Sequence, residues 1–118
     1  MIVLLVAVGG GAGAALRWVV TDRFGRTAEG FPVGTTLVNV VGSFALGLVV
    51  GFDAGVDSFI QTDVLTIGVL GGFTTFSTWV VDIHGSHGSA LSRKIVAVPL
   101  VLGLLAAGAG LALGAWLS

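Results

Sequence analysis

No charged residue occurs between positions 64 and 81, a run long enough to cross most of a bilayer's hydrocarbon core. Its middle nevertheless reads Gly71-Gly72-Phe73-Thr74-Thr75-Phe76-Ser77-Thr78-Trp79. Adjacent glycines, followed by hydroxyl side chains that compete for backbone hydrogen bonds, make a weak helix. In lipid an unpaired backbone group is expensive. An interruption here survives only where a water-filled cavity, a neighbouring helix or a bound ion satisfies it. On this stretch alone two readings stay open: a small-residue packing seam, and a functional break.

The rest of the chain suits the same solvent. Of its 118 residues 55% are hydrophobic and only 9% are charged, with a mean hydropathy of +1.08. Soluble domains carry about 25% charged residues, so the class is integral membrane protein. Four apolar runs, at 2–21, 32–52, 64–81 and 95–116, predict an all-α bundle of four transmembrane helices forming one domain over 1–118. The absence of cysteine excludes disulfides, thiolate metal sites and cysteine nucleophiles. A net charge of -1 gives no sign of nucleic-acid binding. No basic residue precedes the first run and three more spans follow, which argues against a signal peptide.

Small residues recur four apart at Gly9/Gly13, Gly10/Ala14, Gly47/Gly51, Gly103/Ala107 and Gly110/Gly114, a spacing that lets helices approach closely. Arg17 follows Gly13 by four; it either snorkels to the headgroups or stands as a cation at the mouth of an anion path. After a polar loop at 22–30, Pro32 suits the start of span two. Thr35, Asn39 and Ser43 share one face of that span. Such a stripe serves as interhelical glue or lines a wet path. The acidic loop at 53–63 matches no calcium site and is expected to be solvated. A second polar loop at 82–94 holds His84 and His87, read as exposed, and Pro99 falls in the first turns of span four.

Gly71 to Thr78, with Asn39-Val40-Val41-Gly42-Ser43-Phe44 in span two and Gly13-Ala14-Ala15-Leu16-Arg17 in span one, resembles the CrcB/Fluc fluoride channel family over the whole chain. The resemblance implies a fluoride-selective channel for passive export, a dimer of two antiparallel subunits and a third helix broken near Gly71–Phe76. It also implies a central structural sodium ion held by the main-chain carbonyls of Gly71 and Thr74. Asn39, Phe76, Ser77, Thr78 and Trp79 would belong to the fluoride path, and Arg17 to a vestibule. Two departures stand out. The family usually has Phe where this chain has Trp79, so Trp79→Phe is expected to leave flux unchanged or raise it. It also often has hydroxyls in the fourth helix, where this chain has none before Ser118.

The residues suit that chemistry. Fluoride is small and strongly hydrated, so a pore must replace its water with donors such as the Asn39 amide and the Ser77 and Thr78 hydroxyls. Aromatic edges carry partial positive charge and can flank an anion. A full cation in the path would hold the ion too tightly to release it. Alternatives are a non-conducting structural subunit and a small multidrug-type transporter. The latter needs an intramembrane carboxylate, and Asp53, Asp57, Asp63 and Asp82 are all read as flanking spans. No nucleophile–base pair, metal cluster or phosphate loop marks an enzyme.

Charge counting sets the orientation in the plasma (inner) membrane. Arg23, Arg26, Arg93 and Lys94, with Arg17 nearby, fall on the side opposite both termini, and no Lys or Arg falls on the other. Short loops with that bias stay cytoplasmic, which puts both termini outside. A fixed topology favours a paralogous antiparallel partner over a homodimer.

Overall fold

The computed structural model describes residues 1–52, 64–74, 76–85 and 89–118, and all regular structure among them is helical apart from one bridge between Arg26 and Pro32. The elements are α1 (Ile2–Phe24), α2 (Val33–Phe52), a π-wound α3 (Val64–Leu70), the single turn α4 (Gly71–Phe73), α5 (Phe76–Gly85) and α6 (Ser89–Leu117). Among the described residues three helices are long and apolar enough to cross a membrane: Ile2–Phe24, Val33–Phe52 and Ala90–Leu117. The outer faces of α1 and α6 expose Leu4, Val8, Leu16, Leu100, Leu104 and Leu105, while Val38, Phe73 and Ile95 are buried. That distribution would be unstable in water. Against lipid tails, which are as apolar as leucine, nothing is gained by hiding these side chains. The chain is a multi-pass membrane protein.

Without a hydrophobic drive between helices, close backbone packing must hold the bundle, and the glycines supply it. The most extensive helix pairing is α2 along α6. A Cβ at Gly47 would strike the Ala107 carbonyl, and one at Gly51 the Leu111 carbonyl. The seam is reciprocal: Gly110 lies against the Phe44 carbonyl and Gly114 against that of Leu48. α1 docks on α3 and α4 the same way, with Gly13 against the Val69 carbonyl and Phe73 amide, and Gly72 against the Gly10 carbonyl. Bringing backbones this close gains dispersion and weak Cα–H···O contacts that larger side chains forbid.

Helix ends differ from the sequence reading. α1 runs on to Phe24, α5 to Gly85, and α6 begins at Ser89 rather than near residue 95. Charged residues closed the spans in the reading, yet Arg and Lys are good helix formers and continue a helix past the interface. The 29 residues of α6 reach about 44 Å at ~1.5 Å per residue, more than the ~30 Å hydrocarbon core. Two corrections follow. Pro99 lies well inside α6 rather than in its first turns, and Asp82 and His84 are helical rather than loop residues.

Between α1 and α2 the chain turns tightly. Gly25, with φ 55°, donates its amide to the Thr21 carbonyl at 3.0 Å and accepts from the Gly34 amide at 3.1 Å. Gly30, at φ 91°, donates to the Thr27 carbonyl at 2.9 Å. Both conformations favour glycine.

Gly47→Val should destabilise the bundle by about 1–3 kcal/mol through overpacking. Gly108→Ala, whose methyl would meet nothing within 4 Å, should be neutral or stabilise by up to ~1 kcal/mol through helix propensity. Thermal unfolding in detergent compares the two.

Candidate functional site

Asn39 and Ser43 of the α2 polar stripe face a groove of about 340 Å³, which Thr35 does not reach. Asn39, Gly42, Ser43 and Leu46 form one wall, Thr66 and Leu70 another, and Gly71, Thr74 and Trp79 complete it. Asn39, Ser43 and Trp79 also border a second hollow of about 250 Å³, closed by Pro99, Leu100, Gly103, Leu104 and Ala107 of α6. These three residues therefore stand between two cavities, neither lined by a charged side chain among the described residues. The structure thus brings together Asn39, Gly71, Thr74 and Trp79 from the sequence expectations.

Beside the groove the backbone changes direction. Thr74 is extended, with φ -76° and ψ 155°. Both its amide and its hydroxyl donate to the Leu70 carbonyl, each at 2.9 Å. Threonine does this readily because its hydroxyl competes for nearby carbonyls. Gly42 leaves the room this needs, since a Cβ there would run into the Thr74 methyl. Trp79 is held as well, its indole N–H donating to the Ile95 carbonyl at 2.6 Å.

A third cavity, of about 230 Å³, lies at the end of the bundle where α1 meets α2. It is lined by Arg17, Thr21, Gly25, Arg26, Pro32, Thr35 and Thr78. Arg17 and Thr78 therefore meet in one hollow, apart from the groove around Asn39. Thr21 spends its hydroxyl on the Arg17 carbonyl at 2.9 Å. Phe76 and Ser77 belong to α5 by backbone, but their side chains lie outside the described residues, as do the acidic 53–63 loop and His87.

Sequence reasoning missed the pair of Arg26 and Asp82. The Arg26 guanidinium donates to Asp82 Oδ1, 56 residues away in the chain. The Asp82 side chain is 1% exposed and that of Arg26 52%. The other carboxylate oxygen, Oδ2, is buried without a hydrogen-bond partner. Arg26 also donates to the Gly30 carbonyl at 3.2 Å, tying the turn to this carboxylate. One signal was available: Asp82 follows Thr78 by four, on the same helix face. Nearby, Lys94 and Glu29 approach to 3.7 Å, an exposed pair that contributes little.

A sequence profile described as "CrcB-like protein, Camphor Resistance (CrcB)" matches residues 4–111. The chain belongs to the CrcB family. Among its CrcB relatives, "Fluoride-specific ion channel FluC 3" of Yersinia pestis is 38% identical, covering 98% of this chain and 95% of that protein. "Fluoride-specific ion channel FluC 1" of Symbiobacterium thermophilum is 41% identical over 94% and 95%. A second Yersinia pestis protein, "Fluoride-specific ion channel FluC 1", is 38% identical over 68% and 65%. This family is one of ion channels, not enzymes.

Removing one partner of the Arg26–Asp82 pair should expose its weight. Arg26→Ala strands a buried carboxylate and should cost about 1–3 kcal/mol. Arg26→Ala with Asp82→Asn should recover most of that loss, because the neutral amide needs no counter-charge. Detergent melting curves of the two variants measure the difference.

Proposed function

We propose that the chain is a subunit of a fluoride-selective channel that lets cytoplasmic fluoride leave passively and so confers fluoride resistance. The observation that carries this reading is the groove without a charged side chain among its described lining residues, bordered by the Asn39 amide and the Ser43 hydroxyl, in a chain whose CrcB relatives are named fluoride-specific channels. Neutral donors can replace fluoride's water and still release the ion, which a buried cation beside the path would not allow. Asn39, Phe76, Ser77, Thr78 and Trp79 form the path, and Arg17 gathers anions at the vestibule it shares with Thr78.

In this assembly α3, α4 and α5 together make a third span, interrupted at Thr74, and α1, α2 and α6 complete a four-helix subunit. The last carbonyls of a helix have no partner within it. Those near Gly71 and Thr74 suit a sodium ion at the centre of an antiparallel pair. Gly71 supports this. It is exposed, and a Cβ there would find only the Thr66 carbonyl, at an ordinary 3.7 Å. Packing within one subunit therefore does not demand glycine at 71, whereas it does at Gly72.

Orientation rests on the five cations at one end. The Arg26–Asp82 and Glu29–Lys94 contacts bring the two basic regions side by side. That asymmetry favours a fixed topology in the plasma membrane with both termini outside, and an antiparallel paralogous partner. The two differently numbered relatives in Yersinia pestis fit such pairing. If this subunit is purely structural, fluoride will cross only through its partner's half. The case against a multidrug-type transporter shifts, because Asp82 is buried rather than solvated. It now rests on the engagement of Asp82 with Arg26 and on the family.

Liposomes loaded with fluoride and containing this chain, alone and then with a sister subunit, test the proposal. Efflux should run down the fluoride gradient and ignore an imposed proton gradient; uphill movement driven by protons would contradict a channel. Phe76→Ile keeps bulk but removes the electropositive ring edge, and should cut flux by about tenfold or more, ~1.4 kcal/mol, while the protein still folds. Cysteine labelling at position 118 in cells should come from outside only; equal labelling from both sides would mean dual topology.

A further inference from the structure

Pro99 sits inside α6, where a helix expects each amide to donate to the carbonyl four residues earlier. Proline has no such hydrogen, and its ring crowds that carbonyl and turns it off the helix axis. The carbonyl concerned is that of Ile95. It lies in the residue with the second-lowest exposure among the buried apolar ones, 1%, so water is poorly placed to help it. The Trp79 indole N–H donates to this same oxygen at 2.6 Å.

We propose that Trp79 is a positioning residue whose indole N–H replaces the amide hydrogen that Pro99 lacks, tying α5 to α6 beside the polar groove. The cross-link fixes the indole where it borders both hollows with Asn39 and Ser43. Its donor is engaged by the backbone, so the ring offers a passing anion its edge rather than its N–H. A phenylalanine cannot make this bond. The expectation that Trp79→Phe leaves flux unchanged or raises it is therefore reversed: in this chain the residue at 79 and the proline at 99 work as a pair. The effect on flux rests on the fluoride-channel reading, whereas the hydrogen bond does not.

Two measurements separate these levels. With 15N-labelled tryptophan, indole N–H exchange can be followed at all three tryptophans. Trp18 and Trp116 are 67% and 80% exposed. The Trp79 indole should exchange slowest, by about tenfold or more, as befits one buried hydrogen bond. Pro99→Ala, which returns an amide donor to Ile95, should speed that exchange. An indole at 79 exchanging as fast as the other two, or unaffected by Pro99→Ala, overturns the proposal even if no variant conducts.

Fluoride flux then forms a double-mutant cycle. Trp79→Phe should lower flux about threefold to tenfold with Pro99 present, and change it little in the Pro99→Ala background. An equal loss in both backgrounds means that indole bulk matters and the carbonyl does not, which also overturns the proposal. Absence of fluoride flux in the unmutated protein, both alone and with its sister subunit, together with a protected indole, would refute the channel reading and leave the cross-link standing.

Discussion

In hydrocarbon every backbone carbonyl and amide must find a partner inside the protein, because no water is there to serve it. Among the described residues the helical ladder is interrupted at Thr74, beside the groove, and at Pro99, beside the second hollow. At Pro99 the ladder loses a donor, and Trp79 replaces it from the neighbouring helix at 2.6 Å. At Thr74 the backbone turns extended, and the threonine doubles its donors onto the Leu70 carbonyl. In the proposed assembly the remaining carbonyls of that turn would be satisfied by an ion shared with a second subunit. An interruption that would be costly in lipid becomes useful where a small ion needs polar surface.

The same constraint explains why glycine dominates the packing. With lipid on the outside, hiding leucine gains nothing, so the helices bind through backbone contact at Gly47, Gly51, Gly110 and Gly114. This part was legible in the sequence, since small residues four apart and uncharged runs are local patterns. The stripe of Asn39 and Ser43 was legible for the same reason, and it does line a hollow with Gly71, Thr74 and Trp79.

What could not be read was non-local or concerned helix ends. In the sequence, charged residues mark the span ends, yet they prolong α1, α5 and α6 instead. That single error hid two features. It placed Pro99 in a harmless first turn, concealing the need that Trp79 meets, and it placed Asp82 in water, concealing its burial against Arg26. Neither partner can be found by periodicity, because Trp79 and Ile95, like Arg26 and Asp82, belong to different helices or turns. Past Ser92 α6 carries no hydroxyl, and among the described residues it borders the second hollow only with Pro99, Leu100, Gly103, Leu104 and Ala107. Donors on that side must come from α2 and α5.

An interrupted helix completed by an ion, rather than by lipid or water, is the claim on which the proposed assembly turns. Its most direct test is rigorous, prolonged removal of sodium from the purified protein, followed by fluoride flux and dimer stability in the same sample. Both should fall, and both should return when sodium is restored but not when a larger monovalent cation is supplied. Flux and dimer stability unchanged after sodium removal would contradict a central ion at Gly71 and Thr74.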